Sequence, residues 1–204
     1  MLKIILLTII SLIPSTVSGD SSLKKEIAIC AAKEKDAQRL ICYDKIAKDL
    51  GVDGPKIEKV TGAGDWHVKK EISPIDDSTN VYIYVYSEDT VQSGYKSLRP
   101  KLYVRCKENK TSVFLVWGEF LGLDSTKMLT RFDDKPASTD VWSISTDHKA
   151  VFVRDSDIAF AKKIMKHSKL LAQITPHSES PIMVTFNIDG LQKAIKPLRK
   201  ACHW

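Results

Sequence analysis

Four cysteines, Cys30, Cys42, Cys106 and Cys202, all stand downstream of an N-terminus built like a secretory leader. An even number of cysteines in an oxidising compartment reads as two covalent staples, which limits the folds open to the chain more than any other feature. The leader has Lys3, an apolar run over residues 4–13 and small residues ending at Val17-Ser18-Gly19, the pattern of a cleavage site before Asp20. Its apolar run is shorter than the ~20 residues that span a bilayer, and no cysteine follows the cleavage site as a lipoprotein would need. The expectation is a signal peptide over 1–19, a periplasmic or secreted protein, and no stable membrane span after cleavage.

Beyond the leader, residues 20–50 read as a helical hairpin. Ala37, Leu40, Ile41, Ala47 and Leu50 fall at helical spacing, Asp36 is placed to cap the second helix, and Gly51 to end it. Residues 51–64, with Gly51, Gly54, Pro55, Gly62 and Gly64, have the composition of a linker. From 65 to 204 the apolar period becomes two. Val81, Ile83 and Val85 alternate with Tyr82, Tyr84 and Tyr86, and Leu102, Val104 and Cys106 alternate with Lys101, Tyr103 and Arg105. Glu108-Asn109-Lys110 marks a hairpin turn, residues 112–117 are apolar on both faces, and further strands are expected at 129–132, 141–145, 150–154 and 182–188. A helix capped by Asp155 is expected over 158–171, ending before Pro176. A last helix should follow Asp189-Gly190, shortened or kinked by Pro197. The fold class is therefore mainly β with helices: an antiparallel β-sandwich-like domain preceded by a disulfide-stapled helical hairpin.

Four cysteines allow three pairings. Side-chain direction favours one of them. Cys106 lies on the apolar face of its strand, and Cys202 shares a helical face with Leu191, Ala194, Ile195 and Leu198, so these two meet and Cys30 is left for Cys42 on the opposite arm of the hairpin.

A series of short segments carries a family resemblance. Ile29-Cys30-Ala31-Ala32 and the run from Arg39-Leu40-Ile41-Cys42-Tyr43-Asp44 to Ala47 come first. Trp66, Leu102-Tyr103-Val104-Arg105-Cys106, Trp117-Gly118, Arg131-Phe132-Asp133, Trp142-Ser143 and Ala201-Cys202-His203-Trp204 follow. In that order they resemble the VasI (TagO-like) proteins associated with type VI secretion, over essentially the whole mature chain. The resemblance implies an exported accessory factor of a contractile, phage-tail-like injection apparatus, and it brings no reaction chemistry with it.

The residues themselves point away from catalysis. No HExxH, CxxC, GxSxG, P-loop or dinucleotide fingerprint occurs. The histidines, His67, His148, His167, His177 and His203, are dispersed, so neither a metal nor another cofactor is expected. Cysteines consumed in bridges leave no thiolate nucleophile. A carboxylate pair drawn from Glu119 or Asp124 with Asp133 or Asp134 is the one remaining enzymatic route, that of a cell-wall hydrolase. Basic residues outnumber acidic ones 31 to 25 but are scattered, which excludes a nucleic-acid footprint and suits an anionic envelope surface.

The expected function is that of a non-enzymatic accessory protein binding an envelope or secretion-apparatus protein, or the cell wall itself. A periplasmic inhibitor or cell-wall-binding protein is the alternative. Two surfaces compete for the partner. Arg105, Arg131, Asp133 and Trp142, taken as lying on adjoining strands, make a polar patch with an aromatic, and Lys193, Lys196, Arg199 and Lys200 make a cationic one. The tyrosine stripe Tyr82, Tyr84 and Tyr86 is expected to pack under the helix at 158–171 rather than to bind.

Overall fold

The computed structural model describes residues 19–52, 56–58, 60–93 and 96–204, so the leader reading at 1–19 lies outside the described residues apart from Gly19. The chain divides into two compact units between Gly54 and Pro55. The smaller holds helices α1 (Gly19–Ala31) and α2 (Asp36–Asp49), tied by the Cys30–Cys42 disulfide with Cα atoms 5.4 Å apart. Asp36 is the first residue of α2 rather than its cap. Lys35 takes the N-cap position without a side-chain hydrogen bond, and Asp36 pairs with Arg39 one turn on. Gly51, at φ +68°, terminates α2 as expected. Its N–H donates to the Lys48 carbonyl and that of Val52 to Ala47, the paired bonds of a Schellman motif.

The larger unit is mainly β. Its strands are β1 (Lys56–Glu58), β2 (His67–Ile72), β3 (Thr79–Tyr86), β4 (Val91–Ser93), β5 (Lys96–Leu98), β6 (Lys101–Lys107), β7 (Lys110–Val116), β8 (Ser125–Phe132), β9 (Ser138–Ile144), β10 (Ala150–Phe152), β11 (Lys169–Ile174) and β12 (Ile182–Asn187). Ten of them form one antiparallel sheet in the order β1-β2-β3-β6-β7-β10-β9-β8-β11-β12, and β4 pairs with β5 apart from it. The β6–β7 hairpin turns on Glu108 and Asn109, both in the left-handed region at φ 49° and 59°, the geometry whose twist matches paired strands. The sheet curls so that its far end returns to its beginning. Glu88, just past β3, donates its N–H to the Thr185 carbonyl of β12 at 2.7 Å, and the Trp66 indole donates to the Ile188 carbonyl at 3.1 Å. Ile83, Leu102 and Leu115 from one half and Met128, Leu170 and Phe186 from the other are fully buried in the core so enclosed.

Three helices complete this unit: α3 (Asp157–Ile164), α4 (Leu191–Ala194) and α5 (Lys196–Ala201). The helix read over 158–171 stops at Ile164, and β11 begins at Lys169, before that stretch ends. Leu170, Ala172 and Ile174 alternate at period two and are fully buried, so the sheet outweighs the helical spacing. Ser156, not Asp155, caps α3 by accepting from the Ala159 N–H. The last helix breaks at Ile195, with Pro197 in the first turn of α5, and Leu191, Ala194, Ile195 and Leu198 face the core as read from the sequence. Cys202 reaches Cys106, with Cα atoms 5.8 Å apart. The stretch read as a linker contains β1, and its end is packed: a Cβ added to Gly190 would lie 2.4 Å from the Ala63 carbonyl carbon.

Asp157, the first residue of α3, finishes the edge of β7 where β10 runs out. Its Oδ1 accepts the Val113 N–H at 2.5 Å, while the Val113 carbonyl accepts from Val153. Burial pushes this carboxyl up, opposed in part by the Val113 N–H. A folded pKa above the unfolded one adds stability at low pH that is lost as pH rises through the folded value. Asp157→Asn keeps an acceptor without the charge. Its stability relative to wild type should therefore rise with pH across the carboxylate range of ~4–5. Asp157→Ala orphans the Val113 N–H and should cost about 1–3 kcal/mol. Urea unfolding of the three proteins at acid and neutral pH measures both effects.

Candidate partner-binding face

The outer face of the first half of the sheet carries an aromatic ladder perpendicular to the strands. His67 of β2 is the register partner of Tyr84 on β3, Tyr84 of Tyr103 on β6, Tyr103 of Phe114 on β7, and Phe114 of Phe152 on β10. Successive ring centroids are 4.9, 5.2, 4.8 and 4.6 Å apart, with interplanar angles of 17°, 31°, 3° and 21°. At such separations near-parallel rings must overlap face to face, because rings lying side by side in one plane would collide. The ladder therefore stands on edge, and what it presents outward is ring rim, the positive part of the aromatic quadrupole. It crosses five strands, about 19 Å at a spacing of ~4.8 Å per strand.

Cations fence both sides of it. On one side the register row runs Lys69, Tyr82, Arg105. The Arg105 guanidinium lies 5.0 Å from the Phe114 centroid and 6.0 Å from that of Phe152, and its Nε is buried with no hydrogen-bond partner among the described residues. On the other side Lys101 lies opposite Tyr86, with its Nζ 4.9 Å from that ring, and the Arg99 guanidinium lies 5.6 Å from the same ring. The nearby acid Glu71 is already engaged, accepting from the Tyr82 hydroxyl at 2.8 Å and pairing with Lys69 at 3.3 Å. The Tyr82 hydrogen bond holds the Glu71 carboxyl below its ordinary value, and burial followed by Glu71 pushes the Tyr82 phenol up to about 12. Ring rims, phenols and cations together favour a partner that brings negative charge.

At its His67 end the ladder runs into a cleft of about 670 Å³, lined among others by Val60, Asp65, Trp66, Tyr86, Glu88 and Arg99. It forms where the turn before β2, the segment after β3 and the end of β12 converge.

The four residues expected to share a patch are not brought together. The order β6-β7-β10-β9-β8 puts three strands between Arg105 and Arg131, because β10 folds back beside β7 and β8 pairs on the far side of β9. Arg131 is exposed, with Nε donating to the Lys135 carbonyl at 3.0 Å. Asp133 sits in the turn after β8 at φ 48°. Its carboxylate accepts the N–H groups of Lys169 and Ser168 at 2.9 and 3.0 Å, which hold it below the usual carboxylate range. Trp142 is 2% exposed, with its ring edge-on to Phe160 at 5.2 Å. Of the four, only Arg105 lies on the ladder face.

The tyrosine stripe does not lie beneath a helix. The Tyr84 and Tyr86 rings meet His67 and each other, Tyr84 also meets Tyr103, and Tyr82 bonds Glu71, while Ala161 and Ile164 of the short α3 are buried in the inner core. Lys193, Lys196, Arg199 and Lys200 are exposed as expected, with Arg199 tied to the terminal residue through its Nε and the Trp204 carbonyl. Among the described residues no group of three or more His, Cys, Asp or Glu side chains forms a metal-binding cluster, and no helix is long and apolar enough to cross a membrane.

Residues 29–204 match the model of the family described as Type VI secretion system VasI, EvfG. No curated protein matches the chain. Among solved structures it is similar to invasion associated protein B from Bartonella henselae, at 14% identity and a TM-score of 0.48, over 71% of this chain and 96% of that one. With a family match extending from just before the first cysteine to the last residue, this chain belongs to the VasI family of type VI secretion system proteins.

Proposed function

We propose that this protein is an exported, non-enzymatic accessory component of a type VI secretion system that binds an envelope or apparatus component through its aromatic ladder. Family membership supports the setting. Two disulfides with no free cysteine among the described residues suit an oxidising compartment, and the leader-like N-terminus is of the kind that directs export. The observation that carries the binding role is the ladder itself. Five rings in register across five strands, fenced by Lys101, Arg99 and Arg105 with no acid paired to these three among the described residues, are more than a solvated sheet face requires.

The test is effector delivery into a competing strain by cells carrying Tyr84→Ser or Lys101→Glu. Both positions are half-buried on the outer face, so folding should be kept while delivery falls about tenfold or more, as when an interface anchor is lost. Delivery at the wild-type level by both variants, with both proteins folded and exported, contradicts the proposal. Mass spectrometry of the native protein should find its N-terminus at Asp20.

A further inference from the structure

The cleft beside His67 has chemistry of its own. A volume of about 670 Å³ falls within the ~300–1,000 Å³ of small-ligand sites. Trp66, Tyr86 and Val60 give it apolar walls. Unlike charges line it without being joined: Arg99 and Glu88 both border the cleft, and neither has an ion-pair partner among the described residues. Arg99 is nevertheless held in place. Its Nε donates to the Ser87 carbonyl at 2.7 Å and its guanidinium lies against the Tyr86 ring, which leaves the terminal nitrogens as a fork that matches a carboxylate. Asp65 is positioned too, its Oδ2 accepting from the Asn187 amide at 2.8 Å. Its other oxygen and the Glu88 carboxylate remain as acceptors for an ammonium group.

We propose that this cleft binds a short peptide through two opposite charges, with its C-terminal carboxylate on Arg99, an ammonium toward Asp65 and Glu88, and the aliphatic part against Trp66 and Tyr86. A free oligopeptide offers that pair at its two ends, and a cell-wall stem peptide, whose first amine is bonded to the sugar, offers it through its C-terminal carboxylate and the side-chain amine of its diamino acid. The site borders the ladder through His67 and Tyr86, and it goes beyond the proposed accessory role, since it concerns a small ligand and is tested without secretion.

Calorimetric titration of the full mature chain tests it with four probes: trialanine with free ends, its C-terminal amide, its N-acetyl form, and a soluble disaccharide–peptide released from cell wall. Free-ended trialanine or the wall fragment should bind, and the tighter of the two identifies the source. Amidation of the peptide and Arg99→Gln should each weaken binding about tenfold or more and should not add when combined, because they remove the two halves of one contact. Acetylation and Glu88→Gln should behave as a second such pair. If Arg99→Gln does not fold, Arg99→Lys keeps the charge and loses the fork, and should weaken the free-ended peptide while leaving the amide unchanged. Failure of both trialanine and the wall fragment to bind wild type, or equal binding of the amide and the free acid, overturns the proposal.

Discussion

Replacing Cys106 and Cys202 together by alanine should lower the unfolding free energy of the larger unit by about 4–5 kcal/mol. The bridge closes a 96-residue loop, and a cross-link of that length removes about this much from the unfolded chain's conformational freedom. Because a unit of this size loses ~2–4 °C per kcal/mol, the melting temperature should drop by about 8–20 °C. The bridge also fixes the chain's end. Cys106 lies fully buried on β6, and the residues after Cys202 reach back so that the Trp204 indole donates to the Thr111 hydroxyl at 2.8 Å. The Cys30–Cys42 bridge spans 12 residues and is worth less, about 3 kcal/mol on the same reasoning. Calorimetric melting of the double variant beside wild type gives the number. A shift of only a degree or two would mean that the C-terminal helices are held by packing alone.

Trp66→Ala should cost about 3–5 kcal/mol for the buried ring, with a further ~1 kcal/mol for its hydrogen bond. The ring is 4% exposed, and its N–H reaches a carbonyl 122 residues away in sequence. It therefore pins the turn before β2 to the chain leaving β12, where the sheet returns on itself. Trp66→Phe separates the two contributions. It keeps most of the apolar area and abandons the Ile188 carbonyl, so it should cost about 1–2 kcal/mol. Equal losses in the two variants by urea unfolding would show that the hydrogen bond, not the packing, closes the sheet at this point.

What the sequence made legible is what depends on near neighbours. The alternation of Val81, Ile83 and Val85 with three tyrosines, the turn at Glu108-Asn109 and the break before Pro197 each follow from steric rules acting within a few residues, and each stands in the structure. The disulfide pairing was also legible, because strand and helix periodicities alone set which way Cys106 and Cys202 point. Strand order is a different matter. Arg105 and Arg131 look like neighbours until β7, β10 and β9 are placed between β6 and β8, an order decided by contacts across the whole unit. The residues at 158–171 carried two patterns at once, and only burial of Leu170 and Ala172 in the sheet separates strand from helix. The ladder was hidden for the same reason. Its members are spread from position 67 to 152, and cross-strand register, which brings their rings within about 5 Å, leaves no mark in any one segment. Trp142 and Asp133 belong to the patch expected with Arg105 and Arg131, whose aromatic and arginine donors suggest recognition, whereas Trp142 fills the core and Asp133 binds two backbone N–H groups.

Site-specific photocrosslinking in intact secreting cells decides whether the ladder face is where this protein meets its partner. A benzophenone side chain at Val116 beside the ladder on β7, at Lys127 on β8, or at Lys193 on α4 samples three surfaces of one folded unit. The ladder position should give a discrete adduct with one envelope or apparatus component, and the other two should give none. Adducts from position 127 or 193 with none from position 116 would contradict a role for the ladder and move the partner to another surface.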